Sequence, residues 1–200
     1  AAPVSAGPAV LAVGGELKNT ICLLKGGHAV LSEHVGDLKD GRTYRQFIDT
    51  ISHLEALYDV GPELVACDMH PQYLSTEYAV RRHHGELAGR WAIPIVRVQH
   101  HHAHVAACMA EHGLEEPVIG LAFDGTGYGT DGYTWGSEFL VCAGDTYTRA
   151  AHLQYMPMPG GDLAAEEPWR MGISLLHQAY GRDWQELNLP WQKQVDPGKA

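Results

Sequence analysis

Histidine occurs four times within five positions in the stretch RVQHHHAHVAACMAEHG, residues 97–113. If a helix begins near His101, His100 and His104 sit four apart on one face, with His101 and His104 three apart. An HxxxH pair presents two imidazoles to one metal from a single turn. The small residues that follow keep bulk away from such a site. A hydrated cluster at a helix N-terminus is an equally open reading, because neutral imidazoles there need only hydrogen-bond partners. Protonated ones are disfavoured at that end of the helix dipole.

A second chemical segment is FDGTGYGTDG, residues 123–132. Asp124 leaves an apolar run and enters a turn containing Gly125, Thr126, Gly127, Gly129 and Gly132. A carboxylate beside several unhindered amides suits a metal-bridged phosphate or an adenylate. An ordinary hairpin turn is the alternative, since DG is a strong turn signal, but this turn is longer than a hairpin requires. Lys18 is the cation of GGELKNT, residues 14–20, and could meet an anionic ligand or simply be solvated. In MPGGDLAAEEPWRM, residues 158–171, Gly160 and Gly161 read as a tight turn and Asp162 as a helix N-cap that could hold an anion or nucleotide hydroxyls. Asp68 and His70 close an apolar strand, at the edge where ligands gather in α/β sheets. No G-x-S-x-G or Walker A sequence occurs, which gives no support to nucleophile-elbow hydrolases or P-loop NTPases.

The elements that must position these groups follow from periodicity. Strands are expected near 9–14, 20–25 and 28–34, then a helix carrying Tyr44, Phe47, Ile48, Ile51, Leu54, Leu57 and Tyr58 on one face. ELVACDMHP reads as a strand, LSTEYAVRRHHGEL as a helix, IPIVRVQ as a strand and 101–112 as a helix. At Pro117 the order restarts: PVIGLAF, YTWGSEFLVCA and YTRAAHLQYMP as strands, then a helix in DLAAEEPWRMGISLLHQAY. Three hairpin strands followed by alternating helices and strands form a ribonuclease-H-like arrangement. Two in tandem give the actin/hexokinase/Hsp70-type α/β fold, here as a complete first lobe (9–113) and the first part of a second (117–200).

The 200 residues are 45% hydrophobic with net charge -10, which implies a packed core and argues against a nucleic-acid partner. Cys22, Cys67, Cys108 and Cys142 form no CxxC pair and read as buried, reduced thiols of a cytoplasmic protein. No apolar run approaches membrane-spanning length and the N-terminus lacks signal-peptide character. A chain opening on Ala is expected to be cut from something longer.

In order, VGGELKNT, SEHVGDL, CDMHPQYLST, VQHHHAHVAACMAEHG, AFDGTGYGTDG and PGGDLAAEEPWRM closely resemble the Kae1-like carbamoyltransferase domain of the HypF family, which matures [NiFe]-hydrogenase. The resemblance covers about residues 9–180. It implies carbamoyl transfer from carbamoyl adenylate, made from carbamoyl phosphate and ATP, to the C-terminal cysteine thiol of the partner HypE. That thiocarbamate is later dehydrated to hydrogenase cyanide. By the same resemblance His100, His104 and Asp124 match metal ligands, for zinc or iron. Lys18 and the glycines of 125–132 match the adenylate cleft, Gly160–Asp162 match the nucleotide-side loop, and His101 and His102 either orient ligands or meet the carbamoyl group. Ser137 stands where the family has a Gly in WGGEF, a change expected to be tolerated. The family's other domains and its late acidic metal ligand are not in this sequence, so the isolated chain is expected to be inactive. Rival readings are an O-carbamoyltransferase, a tRNA threonylcarbamoyl transferase and, for this chain alone, a non-catalytic metal- or nucleotide-binding module.

Overall fold

The computed structural model describes residues 2–3, 7–187 and 189–190. Its first sheet takes six strands, β1 (Ala2–Pro3), β2 (Val10–Ala12), β3 (Cys22–Lys25), β4 (His28–Leu31), β5 (Leu64–Asp68) and β6 (Ile95–Val98). They lie in the order β1-β4-β3-β2-β5-β6. The β3–β4 connection is the two-residue turn Gly26–Gly27, with φ of 55° and 77°. Positive φ at both turn residues matches the twist of the flanking strands, and glycine adopts it without a Cβ penalty. β2, β5 and β6 run parallel and therefore need crossovers. α1 (Gly41–Leu57) supplies the crossover into β5, and α2 (Leu74–His84) the one into β6.

α1 starts where the Asp40 side chain accepts from the N–H groups of Arg42 and Thr43. It buries Phe47, Ile51 and Leu54 against Leu11, Val13, Leu23 and Val65 of the sheet. Leu57 and Tyr58, expected on the same face, are exposed. Leu57 ends the helix and Tyr58 is its C-cap, so the last turn runs past the core.

α3 (His100–His112) begins one residue before the expected start, with Gln99 as N-cap and left-handed Gly113 as C-cap. Beyond it come β7 (Val118–Ala122), β8 (Gly127–Tyr128), β9 (Thr134–Trp135), β10 (Glu138–Ala143) and β11 (Thr146–His152). β11-β10-β7 form one sheet, and β8–β9 form a small ribbon of their own. YTWGSEFLVCA, expected as one strand, is broken at Gly136–Ser137. A Cβ on Gly136 would stand 3.0 Å from the Gly125 carbonyl oxygen, so the chain bends there at a close backbone approach.

By their internal contacts the residues fall into two compact units, 1–151 and 152–200. Within the first unit α3 packs on the second sheet: Val105 and Met109 share one core with Trp135, Leu140 and Cys142. In the second unit the expected single helix is split into α4 (Leu163–Glu166) and α5 (Trp169–Tyr180). Pro168 has no N–H and pushes Glu167 out of helical backbone, to φ −119° and ψ 80°. The end of the expected second lobe, residue 188 and 191–200, lies outside the described residues.

All four cysteines are free, but Cys22 is only half-buried and Cys108 is exposed, contrary to expectation. The buried face of α3 runs through His102, Val105 and Met109, and Cys108 lies one helical step of about 100° away from Met109. Among the described residues no helix is long and apolar enough to cross a membrane.

The α3–β7 contact turns on Gly120, where a Cβ would stand 2.6 Å from Val105 Cγ1. Gly120→Ala is expected to cost about 1–3 kcal/mol in urea unfolding through overpacking. The Gly120→Ala, Val105→Ala double variant should cost less than the sum of the single changes, because the second deletes the clashing methyls.

Candidate metal centre

Asp68 ends β5, and the parallel register sets it beside Val98 of β6. α3 begins two residues later, so its first side chain returns over Asp68. There His100 Nδ1 donates to Asp68 Oδ2 at 2.7 Å. The other Asp68 oxygen accepts from the His70 N–H at 2.8 Å. With Nδ1 committed, His100 turns Nε2 towards two further donor atoms, one turn along α3 and one just beyond β7.

His100 Nε2 lies 3.2 Å from His104 Nε2 and 3.1 Å from Asp124 Oδ2. His104 Nε2 lies 3.5 Å from the same oxygen. A zinc ion with arms of about 2.0–2.1 Å in tetrahedral geometry separates its donors by about 3.4 Å. The triangle of two imidazole nitrogens and one carboxylate oxygen therefore has the size of one face of such a site. The donor set suits zinc or iron. His100, His104 and Asp124 are the only such group of three or more among the described residues.

Charge at the triangle is strongly biased. Hydrogen bonds to Asp124 and Asp68 raise the His100 pKa to about 9, against the opposing effect of burial. Burial pushes the Asp124 carboxyl up, but hydrogen bonds and charge from His100 and His101 outweigh it and hold the group well below the usual carboxylate range. Burial, then the neighbouring His100, lower the pKa of His104.

His101, expected beside the reacting group, is fully buried. Its Nε2 is 2.5 Å from Asp124 Oδ1, a close ion-pair contact, and neither buried atom makes a hydrogen bond of regular geometry. His102 is buried against the Tyr147 ring, centroids 4.9 Å apart. Of the two roles expected for this pair, orienting a ligand fits their burial, whereas meeting the substrate does not.

The glycine-rich turn also splits into two halves. Gly125 and Thr126 are exposed, and a Cβ on Gly125 would meet nothing within 4 Å. Gly127 and Gly129 are buried. A Cβ on Gly127 would overlap the His101 ring, 2.9 Å from Nδ1 and 3.0 Å from His100 Cβ. One on Gly129 would stand 2.5 Å from Asp131 Oδ1 and overlap the Trp135 indole. Packing against the histidines and Trp135 therefore accounts for glycine at 127 and 129.

Below them lies a clamp that composition alone did not reveal. Trp135 donates its indole N–H to Asp131 at 2.9 Å, and the Arg149 guanidinium sits 3.9 Å over its ring. Arg149 is held by Glu138 through hydrogen bonds of 2.6 and 3.0 Å. Glu138 is itself buried and accepts from the Gly136 N–H.

Lys18 is exposed and adopts a left-handed φ of 49°, an unfavourable conformation for a residue with a side chain. The neighbouring Asn19 fixes the turn, donating to the Val13 and Gly15 carbonyls. In the second unit, Gly160 and Gly161 form the expected turn with φ of 84° and 59°. Asp162 makes no side-chain cap and has helical backbone, contrary to the N-cap expectation. An N-cap needs extended backbone for its side chain to reach the N–H groups.

Gly127→Ala is expected to lower stability by about 1–3 kcal/mol, while Gly125→Ala stays within about 0.5 kcal/mol of the parent. Thermal and urea unfolding of the two variants check this. Equal stabilities would remove the packing role assigned to Gly127.

Residues 5–111 match the family described as the HypF Kae1-like domain. Residues 120–198 match that of the carbamoyltransferase Kae1-like domain, second subdomain. The chain is 52% identical over 176 residues to carbamoyltransferase HypF2 of Cupriavidus necator, covering 88% of this chain and 21% of that protein. It is 47% identical over 176 residues to carbamoyltransferase HypF of Rhizobium leguminosarum bv. viciae, covering 88% and 22%. Among solved structures, full-length HypF in a phosphate- and nucleotide-bound form superposes with a TM-score of 0.82 at 44% identity, covering 98% of this chain and 24% of that one. The chain thus spans about a fifth of the length of these curated relatives. By both family matches and by these identities, it belongs to the HypF family and corresponds to the Kae1-like region.

Proposed function

We propose that this chain forms part of the transfer centre of a carbamoyltransferase. In this reading the carbamoyl group moves from carbamoyl adenylate, made from carbamoyl phosphate and ATP, to the C-terminal cysteine thiol of the hydrogenase-maturation protein HypE. A divalent metal, zinc or iron, is held by His100 Nε2, His104 Nε2 and Asp124 Oδ2. The observation that carries this is the donor triangle, whose edges of 3.1, 3.2 and 3.5 Å suit one metal ion. The names of the relatives, all carbamoyltransferases, support the reaction class.

When bound, the metal supplies Lewis-acid polarisation of a phosphate or carbonyl oxygen. The residues of the chain do the rest. Asp68 accepts the Nδ1 proton of His100 and so keeps its Nε2 aimed at the triangle. The exposed Gly125–Thr126 segment, directly after Asp124, offers unhindered backbone N–H groups to the adenylate phosphate. Lys18, held in its strained turn, adds a cation for the same charge. The partner's thiol loses its proton to solvent and attacks the carbamoyl carbon as a thiolate. The new C–S bond forms as the C–O bond to the phosphate breaks, and the electron pair leaves on AMP. A nucleophile supplied by the partner requires no activated cysteine in this chain, in keeping with the raised pKa of buried Cys67 and Cys142.

The test uses the parent protein containing this segment, supplied with carbamoyl phosphate, ATP and the cysteine-tailed partner. Mass spectrometry should find a thiocarbamate on the partner's last residue. His100→Ala combined with His104→Ala should reduce it by at least about 100-fold. Undiminished product from the double variant would remove the metal centre from the reaction.

A further inference from the structure

We propose that Gln99 is a positioning residue that sets the ring tautomer of His101 and, through it, the direction in which Asp124 faces. The hydrogen bonds stand independently of any metal; their consequence for catalysis rests on the reading of His100, His104 and Asp124 as a metal centre.

Gln99 is the N-cap of α3, and its side-chain oxygen accepts from the His102 N–H at 2.9 Å. Shorter Asn, Asp, Ser and Thr are the usual capping residues, so glutamine here invites a second reason. Its amide nitrogen provides one: it lies 3.1 Å from His101 Nδ1 and 3.3 Å from the Tyr128 carbonyl oxygen. The amide cannot be turned over. Reversal would put an NH₂ against the His102 N–H and an oxygen against the Tyr128 carbonyl, two mismatches at once.

The orientation of the amide decides the histidine. An imidazole nitrogen facing an N–H donor must be the unprotonated one, so the ring proton of His101 lies on Nε2. That nitrogen is 2.5 Å from Asp124 Oδ1. The proton of His101 thus lies on the nitrogen that faces Oδ1, an attractive contact for the carboxylate, and Oδ2 remains towards His100 and His104. The opposite tautomer would set a lone pair against the carboxylate and release Asp124 from this orientation. Burial reinforces the effect: Gln99 is 2% exposed and His101 0%, so water cannot substitute for a missing partner. Tyr128 belongs to the β8–β9 ribbon, so the same amide also ties α3 to the turn that carries Asp124.

The test compares the metal-free chain with its Gln99→Glu variant, both labelled with ¹⁵N-histidine, by long-range ¹H–¹⁵N correlation at pH 8. In the parent His101 should give the Nε2–H pattern. Gln99→Glu keeps an oxygen for the His102 N–H but presents a second oxygen to Nδ1, so the Nδ1–H pattern should replace it. Zinc titration of the same samples should show affinity reduced about 10–100-fold in the variant. A parent His101 in the Nδ1–H form overturns the proposal without any variant being needed. A tautomer that switches while zinc affinity stays unchanged overturns the coupling to Asp124. If the parent takes up no zinc but the tautomers behave as expected, the tautomer role of Gln99 is supported and the metal reading fails.

Discussion

A carboxylate among three imidazoles must be oriented as well as charged, and the rest of the first unit is arranged around that requirement at Asp124. One of its oxygens is taken by the buried His101, 2.5 Å away. The other is left facing His100 and His104. Neither group could hold this geometry from a flexible loop. α3 starts directly after β6, β6 lies parallel to β5, and Asp68 at the end of β5 reaches the first histidine of α3. The parallel sheet thus delivers one carboxylate to the back of His100, and the second sheet delivers another to its front.

The close approach of the second sheet is purchased with side-chain volume. Gly120 lets β7 meet Val105, Gly127 lets the turn meet His101, and Gly129 leaves room for Trp135. In the pair beneath Trp135 Glu138 is buried and Arg149 half-buried, and such pairs contribute little net stability once desolvation is counted. Its role here is one of location: Arg149 covers the indole, Glu138 holds both Arg149 and the Gly136 N–H, and the turn carrying Asp124 gains a fixed floor.

Much of this was legible in the residues, but unevenly. The hairpins, the crossover helices and the strand-helix order follow from periodicity and from turn signals such as Gly26–Gly27. Helical phase alone pairs His100 with His104. It cannot separate His101 from them, because its burial is produced by Gly127 of a distant ribbon. Asp68 stood at a promising strand end, yet its partner depends on the register of β5 against β6. Gln99 carries no motif at all; only its two-sided hydrogen bonding marks it. The split at Pro168 was readable from proline chemistry, whereas the break at Gly136 came from a backbone contact that no local pattern encodes.

The most direct measurement is anomalous X-ray diffraction from crystals of the chain grown with zinc or with iron, collected at the absorption edge of each. Expected is a single ion about 2.0–2.2 Å from His100 Nε2, His104 Nε2 and Asp124 Oδ2, with His101 Nε2 still directed at Asp124 Oδ1. An ion bound through His101, or anomalous density only at sites away from this triangle, would contradict the assignment of these three donors.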